Sequence, residues 1–225
     1  MNEILFLTHT VIILLCTLGA YQLGKEALMA WTLFQAIFAN LFVLKQIEWL
    51  GLQITCSDVF AVGGILGLNL IQEKYGITEA KKLARLSLYS MVFFAVMSKI
   101  HLWYVPSTFD QTHSAYCTIL CAAPRILMAS LTSFFLTQQI DMRLFQTMKD
   151  RFPRLSLAAR NTVSIILTQL LDTLLFSFLG LYGLMENLWH VIWVSFLVKI
   201  MVVFLLVPAS ALIVKRLSSP FNEAS

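Results

Sequence analysis

Charge is what this chain has least of. Asp, Glu, Lys and Arg make up 12% of its 225 residues, about half of the roughly 25% usual in soluble domains. With 59% of the residues drawn from Ala, Val, Ile, Leu, Met, Phe, Trp, Tyr and Cys, there is too little polar surface to clothe a soluble globule. That excludes soluble Rossmann-type enzymes and nucleic-acid recognition through a basic face. Cysteine is scarce too: Cys16, Cys56, Cys117 and Cys121 lie in or beside apolar runs, and none has metal-site spacing. They read as small buried residues, not as a disulfide scaffold. Catalytic signatures are absent, with no Walker A loop, HExxH or GxSxG. The four histidines, His9, His101, His113 and His190, are scattered near helix ends and outer loops. His101, Asp110 and His113 share one outer segment, read as a polar loop in preference to a metal site. Low-complexity tracts and obvious internal repeats are missing as well.

Apolar length is what the chain has instead. Mean hydropathy is +0.79, and several runs reach the ~20 residues that cross a ~30 Å hydrocarbon layer as helix. The windows are 3–24, 27–47, 53–73, 84–105, 117–140, 160–181 and 188–214. They predict an all-α polytopic membrane bundle of seven transmembrane helices. The first is kept as a helix and not a signal peptide, because Met1-Asn2-Glu3 is not basic and no A-x-A site follows.

Loop charge tests that count. Lys25, the group Lys74, Lys81, Lys82 and Arg85, the group Arg143, Lys149, Arg151, Arg154 and Arg160, and the pair Lys215 and Arg216 account for twelve of the sixteen basic residues. All twelve fall on one side if seven spans alternate. The loops around Ile47–Gln53, Pro106–Tyr116 and Met185–Leu188 are nearly free of Lys and Arg. The positive-inside rule makes the basic side cytoplasmic, so the N-terminus is expected outside and the C-terminus inside.

Four basic residues remain. Lys45 and Lys99 lie near outer helix ends, where long side chains snorkel to the headgroups. Arg125 and Lys199 lie deeper, where a basic residue costs about 2.5–3.5 kcal/mol on insertion scales and so calls for a partner or a wet cavity. Acidic partners are Asp172 in the sixth window, Asp58 in the third and Glu48 after the second. The expected pairs are Asp172 with Lys199, and Arg125 with Asp58 or Asp172. Such pairs either fix helix register alone or contact a polar substrate.

Helical phase favours a cavity. At 100° per residue, Asn161, Ser164, Thr168, Gln169 and Asp172 share one face of the sixth window, and Phe176 joins it one turn on. Arg125, Ala129, Thr132 and Gln139 form a stripe on the fifth, Asp58, Asn69, Gln72 and Glu73 on the third, and Ser195 with Lys199 on the seventh. Gly63-x-x-x-Gly67 fits close helix packing, favoured here over a homodimer seam.

In order along the chain, these residues resemble the queuosine-precursor transporter family, the YhhQ type formerly grouped with vitamin uptake transporters. Ala39-Asn40 with Lys45 is similar to its A-N-x-x-x-x-K, and Glu73-Lys74-Tyr75-Gly76 with Ala80, Lys81 and Arg85 to its E-x-Y-G and basic segment. Arg125, Ala129-Ser130, Gln138, Asp141 and Phe145 resemble its R-x-x-x-A-S and Q-x-x-D-x-x-x-F run. Ser164, Gln169, Asp172-Thr173 and Phe176, then Lys199 and Pro208, match its last two helices. Two features depart: Asn69 stands where many members carry Asp, and the first helix is extra. The resemblance therefore implies one transmembrane domain over 1–225, with an extra helix over 1–26 and a six-helix transporter core over 27–216.

What the resemblance implies is uptake, across the cell inner membrane, of a 7-deazaguanine base such as queuine, preQ0 or preQ1 for tRNA queuosine salvage. No enzyme activity, cofactor or nucleic-acid partner goes with it, and a homodimer is left open. A guanine-like edge offers N–H donors that a carboxylate accepts in pairs. Asp172 takes that role, Gln169 and Asn40 read neighbouring edge atoms, Arg125 bonds the ring carbonyl, and Phe176 or Trp193 stacks on the ring. Lys199 keeps Asp172 ionised and oriented. Lys45, Asp58, Asn69, Glu73, Gln138 and Asp141 form a secondary set. The alternatives are the substrate-binding subunit of an energy-coupling-factor vitamin transporter, an intramembrane enzyme, or a membrane scaffold whose charge pairs only lock helices.

Overall fold

The computed structural model describes residues 1–43, 45–49, 52–55, 57–120, 124–183 and 188–218, without the side chains of 46, 52, 53, 124–127, 213 and 215–218. The readings that rest on Cys56, Cys121, Met185 and the side chains of Arg125, Lys215 and Arg216 lie outside the described residues. Along the chain come α1 (Asn2–Leu23), α2 (Lys25–Leu41), a hairpin of β1 (Gln46–Trp49) and β2 (Leu52–Thr55), α3 (Ser57–Tyr75), α4 (Ile77–Trp103), α5 (His113–Leu120), α6 (Pro124–Arg151), α7 (Leu157–Phe176) and α8 (Leu188–Ser218). A π-helical turn, Ser177–Leu181, extends α7.

Among the described residues, four helices are long and apolar enough to cross a membrane: α1, α4, α7 with its π turn, and α8 over Leu188–Leu212. The chain is a helical, multi-pass membrane protein. The expected count of seven such helices is not reproduced, since α2 has only 17 residues and α3 and α6 are diluted by polar positions. Nor is the fold free of β-structure. The second apolar window runs to residue 47, but α2 stops at Leu41 and the chain turns into an antiparallel hairpin pairing Gln46 with Thr55 and Trp49 with Leu52. The fifth window also divides, into the short α5 and the long α6, which runs on to Arg151.

Two one-residue links set the hairpins of helices. Gly24 (φ 113) joins α1 to α2 and Gly76 (φ 87) joins α3 to α4, both in the positive-φ region where a Cβ is strained. α3 is the central helix, packed against α1, α2, α4, α6, α7 and α8. Its glycines serve that position: a Cβ at Gly63 would meet Gln35 and Ile13, and one at Gly67 would meet Thr32. The small-residue face is therefore occupied inside the chain, against α2. The N-terminal helix is fastened to the same unit by Trp31 Nε1, which donates to Thr17 Oγ1 at 2.9 Å.

Contacts at the helix ends show alternating direction. Lys25 meets Glu79 at 3.4 Å, Lys74 lies 4.1 Å above the Tyr21 ring, and Glu73 meets Lys149 and Arg160, all at one end. At the other, Asn2 Nδ2 donates to the Glu48 carbonyl at 2.7 Å and His101 sits edge-on to Tyr116. Asp110 caps α5 there, its Oδ1 accepting from the Thr112 N–H at 2.7 Å and the His113 N–H at 3.2 Å.

Candidate substrate site

Lys199 on α8 is buried, so its ammonium must find partners within the bundle. Its Nζ donates to Asp172 Oδ2 at 2.8 Å and Thr173 Oγ1 at 3.1 Å, both on α7. A second carboxylate, Asp58 on α3, lies 3.8 Å away and accepts from Ser195 Oγ at 3.5 Å. Three helices are tied at one point. Within the cluster the side chains of Lys199 and Asp58 are each 6% exposed, whereas that of Asp172 is 23% exposed. Asp172 is the most exposed member of the three.

One turn outward on α7, Phe176 lines a cleft with Asn40 and Leu41 of α2, Ser98 and Lys99 of α4, and Ser130 of α6. The cleft is small, with a cavity volume of about 60 Å³. Asn40 is oriented by two bonds: its Oδ1 accepts from Ser130 Oγ at 2.5 Å and its Nδ2 donates to the Ala36 carbonyl at 3.0 Å. At i and i+4, Asp172 and Phe176 project to the same side of α7.

Further in, α3, α6 and α7 share a second polar layer. Asp141 accepts from Ser164 Oγ at 2.5 Å and from Thr168 Oγ1 at 3.3 Å, and Asn69 faces the same carboxylate without closing a hydrogen bond. The innermost layer is ionic. Glu73 on α3 binds Arg160 of α7 at 2.7 Å and Lys149 of α6 at 3.2 Å, while Gln72 Nε2 donates to the Met142 carbonyl at 2.9 Å. Arg160 and Asp172 are about 18 Å apart along α7 at 1.5 Å per residue, so the polar face threads much of the bundle.

The profile of the family described as "Putative vitamin uptake transporter" matches residues 59–213. A curated protein of Bacillus subtilis (strain 168), described as "Probable queuosine precursor transporter", is 30% identical over 205 residues, which cover 89% of this chain and 87% of that protein. The chain belongs to this transporter family. No solved structure matches it. The matched segment contains every member of the three polar layers, Asp58 excepted, and leaves out α1, α2 and the β-hairpin.

Within this family member, the residues picked from sequence fall in different places. Asp172 and Lys199 form the expected interhelical pair. Asp58 lies beside Lys199 because α3 and α8 pack directly, and the expected pairing of Arg125 with Asp58 or Asp172 lies outside the described residues. Asn40 and Phe176 line the cleft, and Gln169 is buried with Oε1 unbonded. Gln138 and Asp141 are buried on α6, and Lys45 is exposed just beyond α2. Three readings are corrected. Thr132 is exposed and Gln139 only half-buried, since the buried stripe of α6 runs through Ala129, Ser133, Gln138 and Asp141. Trp193 is 59% exposed on the outer side of α8 and stacks on nothing in the site. Arg160, counted as a loop charge, is a buried member of the inner ionic layer. Sequence reasoning set Lys99 aside as a snorkelling residue, yet it lines the cleft; only its neighbour Ser98, buried on the same helix, signals that face.

Proposed function

We propose that this chain imports queuosine precursors, 7-deazaguanine bases such as queuine, preQ0 or preQ1, across the cell inner membrane for salvage into tRNA. The observation that carries the reading is the Asp172–Lys199 pair, with one carboxylate oxygen fixed by the ammonium and the side chain still partly open. A carboxylate so held is oriented, which is what an acceptor for the paired N–H groups of a guanine-like edge requires. Phe176, one turn away, supplies a ring face for a flat base, and Asn40 an amide for its remaining edge atoms. Gln169 and Arg125 complete the proposed set, and the secondary residues hold the helices that carry it. In the narrow cleft described, a bicyclic guest enters by parting the side chains at the mouth.

The topology that goes with this reading has seven spans, with α2, α3 and α6 crossing in the company of their neighbours. The basic loops and the C-terminus are cytoplasmic and the N-terminus is outside. It assigns no enzymatic step and no nucleic-acid partner to the chain. The family's description as a vitamin transporter favours a second reading, the substrate-binding subunit of an energy-coupling-factor system. Such a subunit works only with a shared ATPase module, so uptake by the purified chain alone separates the two. The direct test is labelled-base uptake by cells lacking their own route: the wild-type chain restores it, and Asp172→Ala abolishes it while the protein remains in the membrane. Salvage by that variant at the wild-type level refutes the assignment.

A further inference from the structure

Asp141 makes no contact with the base in the substrate reading. It lies on α6, wholly buried, between the Lys199 cluster and the inner ionic layer. Ser164 donates to its Oδ1, the Thr168 hydroxyl lies 3.3 Å from the same oxygen with its shorter bond to the Ser164 carbonyl at 2.8 Å, and Oδ2 meets no partner. Across from it Asn69, equally buried, turns its amide toward the carboxylate and leaves its Oδ1 unbonded. Gln138, one turn back on the same face of α6, keeps its Oε1 unbonded as well. Among the described residues the charges on the packed helices are engaged elsewhere. Glu73 and Lys149 pair with each other, Arg160 pairs with Glu73, Asp172 pairs with Lys199, and the buried positions of α4 are neutral.

Buried polar atoms are nearly always paired, and a lone carboxylate in a bilayer is costly. Here an unpaired carboxylate oxygen faces a buried amide, and among the described residues no basic side chain pairs with that carboxylate. Hard oxygen donors of this kind suit a single small positive charge, either a sodium ion held between oxygens or a proton on the carboxylate. We infer that Asp141, with Ser164, Thr168 and Asn69, is the site of a monovalent coupling cation that crosses with the substrate. The coupling element is α7, which carries Thr168 toward Asp141 and, one turn on, Asp172 toward Lys199. The inference rests on the transport reading above, but the cation site is testable without any base.

Two measurements on the purified full-length chain decide it. In the first, the melting temperature is followed as sodium chloride replaces potassium chloride at fixed ionic strength, and separately as pH is lowered. The wild-type protein gains stability in one of the two series, because binding to the folded state alone stabilises it. Asp141→Asn, which keeps the volume, gains in neither, and Ser164→Ala, which keeps the carboxylate, shows a reduced gain. No gain in the wild type, or an equal gain in Asp141→Asn, overturns the proposal. In the second, proteoliposomes take up labelled queuine or preQ1 under a sodium or a proton gradient. One charge moved across 100 mV supports about fifty-fold accumulation. The wild type accumulates the base under one gradient, whereas Asp141→Asn only equilibrates it. Accumulation by Asp141→Asn equal to wild type overturns the proposal. A cation-dependent gain in a protein that moves none of these bases upholds the Asp141 site and defeats the substrate reading instead.

Discussion

Lys199 bonds to two residues of α7 and faces a third partner on α3, and each partner answers the cost of a buried ammonium. Removing it leaves Asp58 and Asp172 as neighbouring carboxylates with no shared cation. Lys199→Ala is therefore expected to cost about 3–5 kcal/mol, the range for breaking a buried pair from one side. Lys199→Met combined with Asp172→Asn, which removes both charges, recovers part of that loss. Melting curves of the purified variants check both statements. Asp172→Asn alone keeps its shape but loses charge, and is expected to fold and fail in uptake. The pairing of Asp172 with Lys199 was legible in the sequence because a basic residue at mid-helix depth needs an acid within reach. The contact of Asp58 with the same lysine was not, since it depends on how α3 packs against α8, and helical phase says nothing of that.

At the scale of elements, two devices are exposed to test. Gly67 lets α3 approach Thr32 of α2, so Gly67→Val forces a side chain into occupied space and is expected to destabilise the bundle by about 1–3 kcal/mol. Denaturation in detergent measures it. The second device is the cap of α5. The Thr112 N–H, with the Thr112 hydroxyl and the His113 N–H, holds the Asp110 carboxyl below the usual carboxylate range. A group whose folded pKa is lowered contributes above its unfolded pKa, and the contribution fades as pH falls through the folded value. Amide protection at the start of α5 should hold at neutral pH and fade in acid. Asp110→Asn should remove the pH dependence while keeping a cap, and Asp110→Ala should lose the cap at every pH. Hydrogen exchange across α5 reads all three.

Element boundaries show where sequence reasoning stopped. The strongly apolar α1, α7 and α8 began and ended within a few residues of their windows. The hairpin stayed hidden because Gln46–Trp49 and Leu52–Thr55 continue apolar runs already long enough for helix, and hydropathy does not distinguish the two. The stripe on α6 was misphased because it was counted from Arg125. Tertiary packing against α3 and α7 instead selects the face carrying Ser133, Gln138 and Asp141, with Thr132 left exposed.

For the whole molecule, α3 is a polar-lined axis and α7 runs beside it, with three layers of charge and amide between them. The outer layer is partly open at Asp172, the middle layer has no basic side chain among the described residues, and the inner layer is tied by Glu73, Lys149 and Arg160. An inner tie of that kind must loosen for a guest to leave toward the basic end. Glu73→Gln is accordingly expected to change the rate of uptake more than the affinity for the base, which initial-rate and equilibrium-binding measurements separate. The central claim is that Asp172, braced by Lys199, receives the edge of a 7-deazaguanine base. Binding of labelled queuine and preQ1 to the purified wild-type chain and to Asp172→Asn tests it most directly. The account predicts saturable binding that is lost in the variant, with both proteins folded. Equal binding by the two, or none by the wild type, contradicts it.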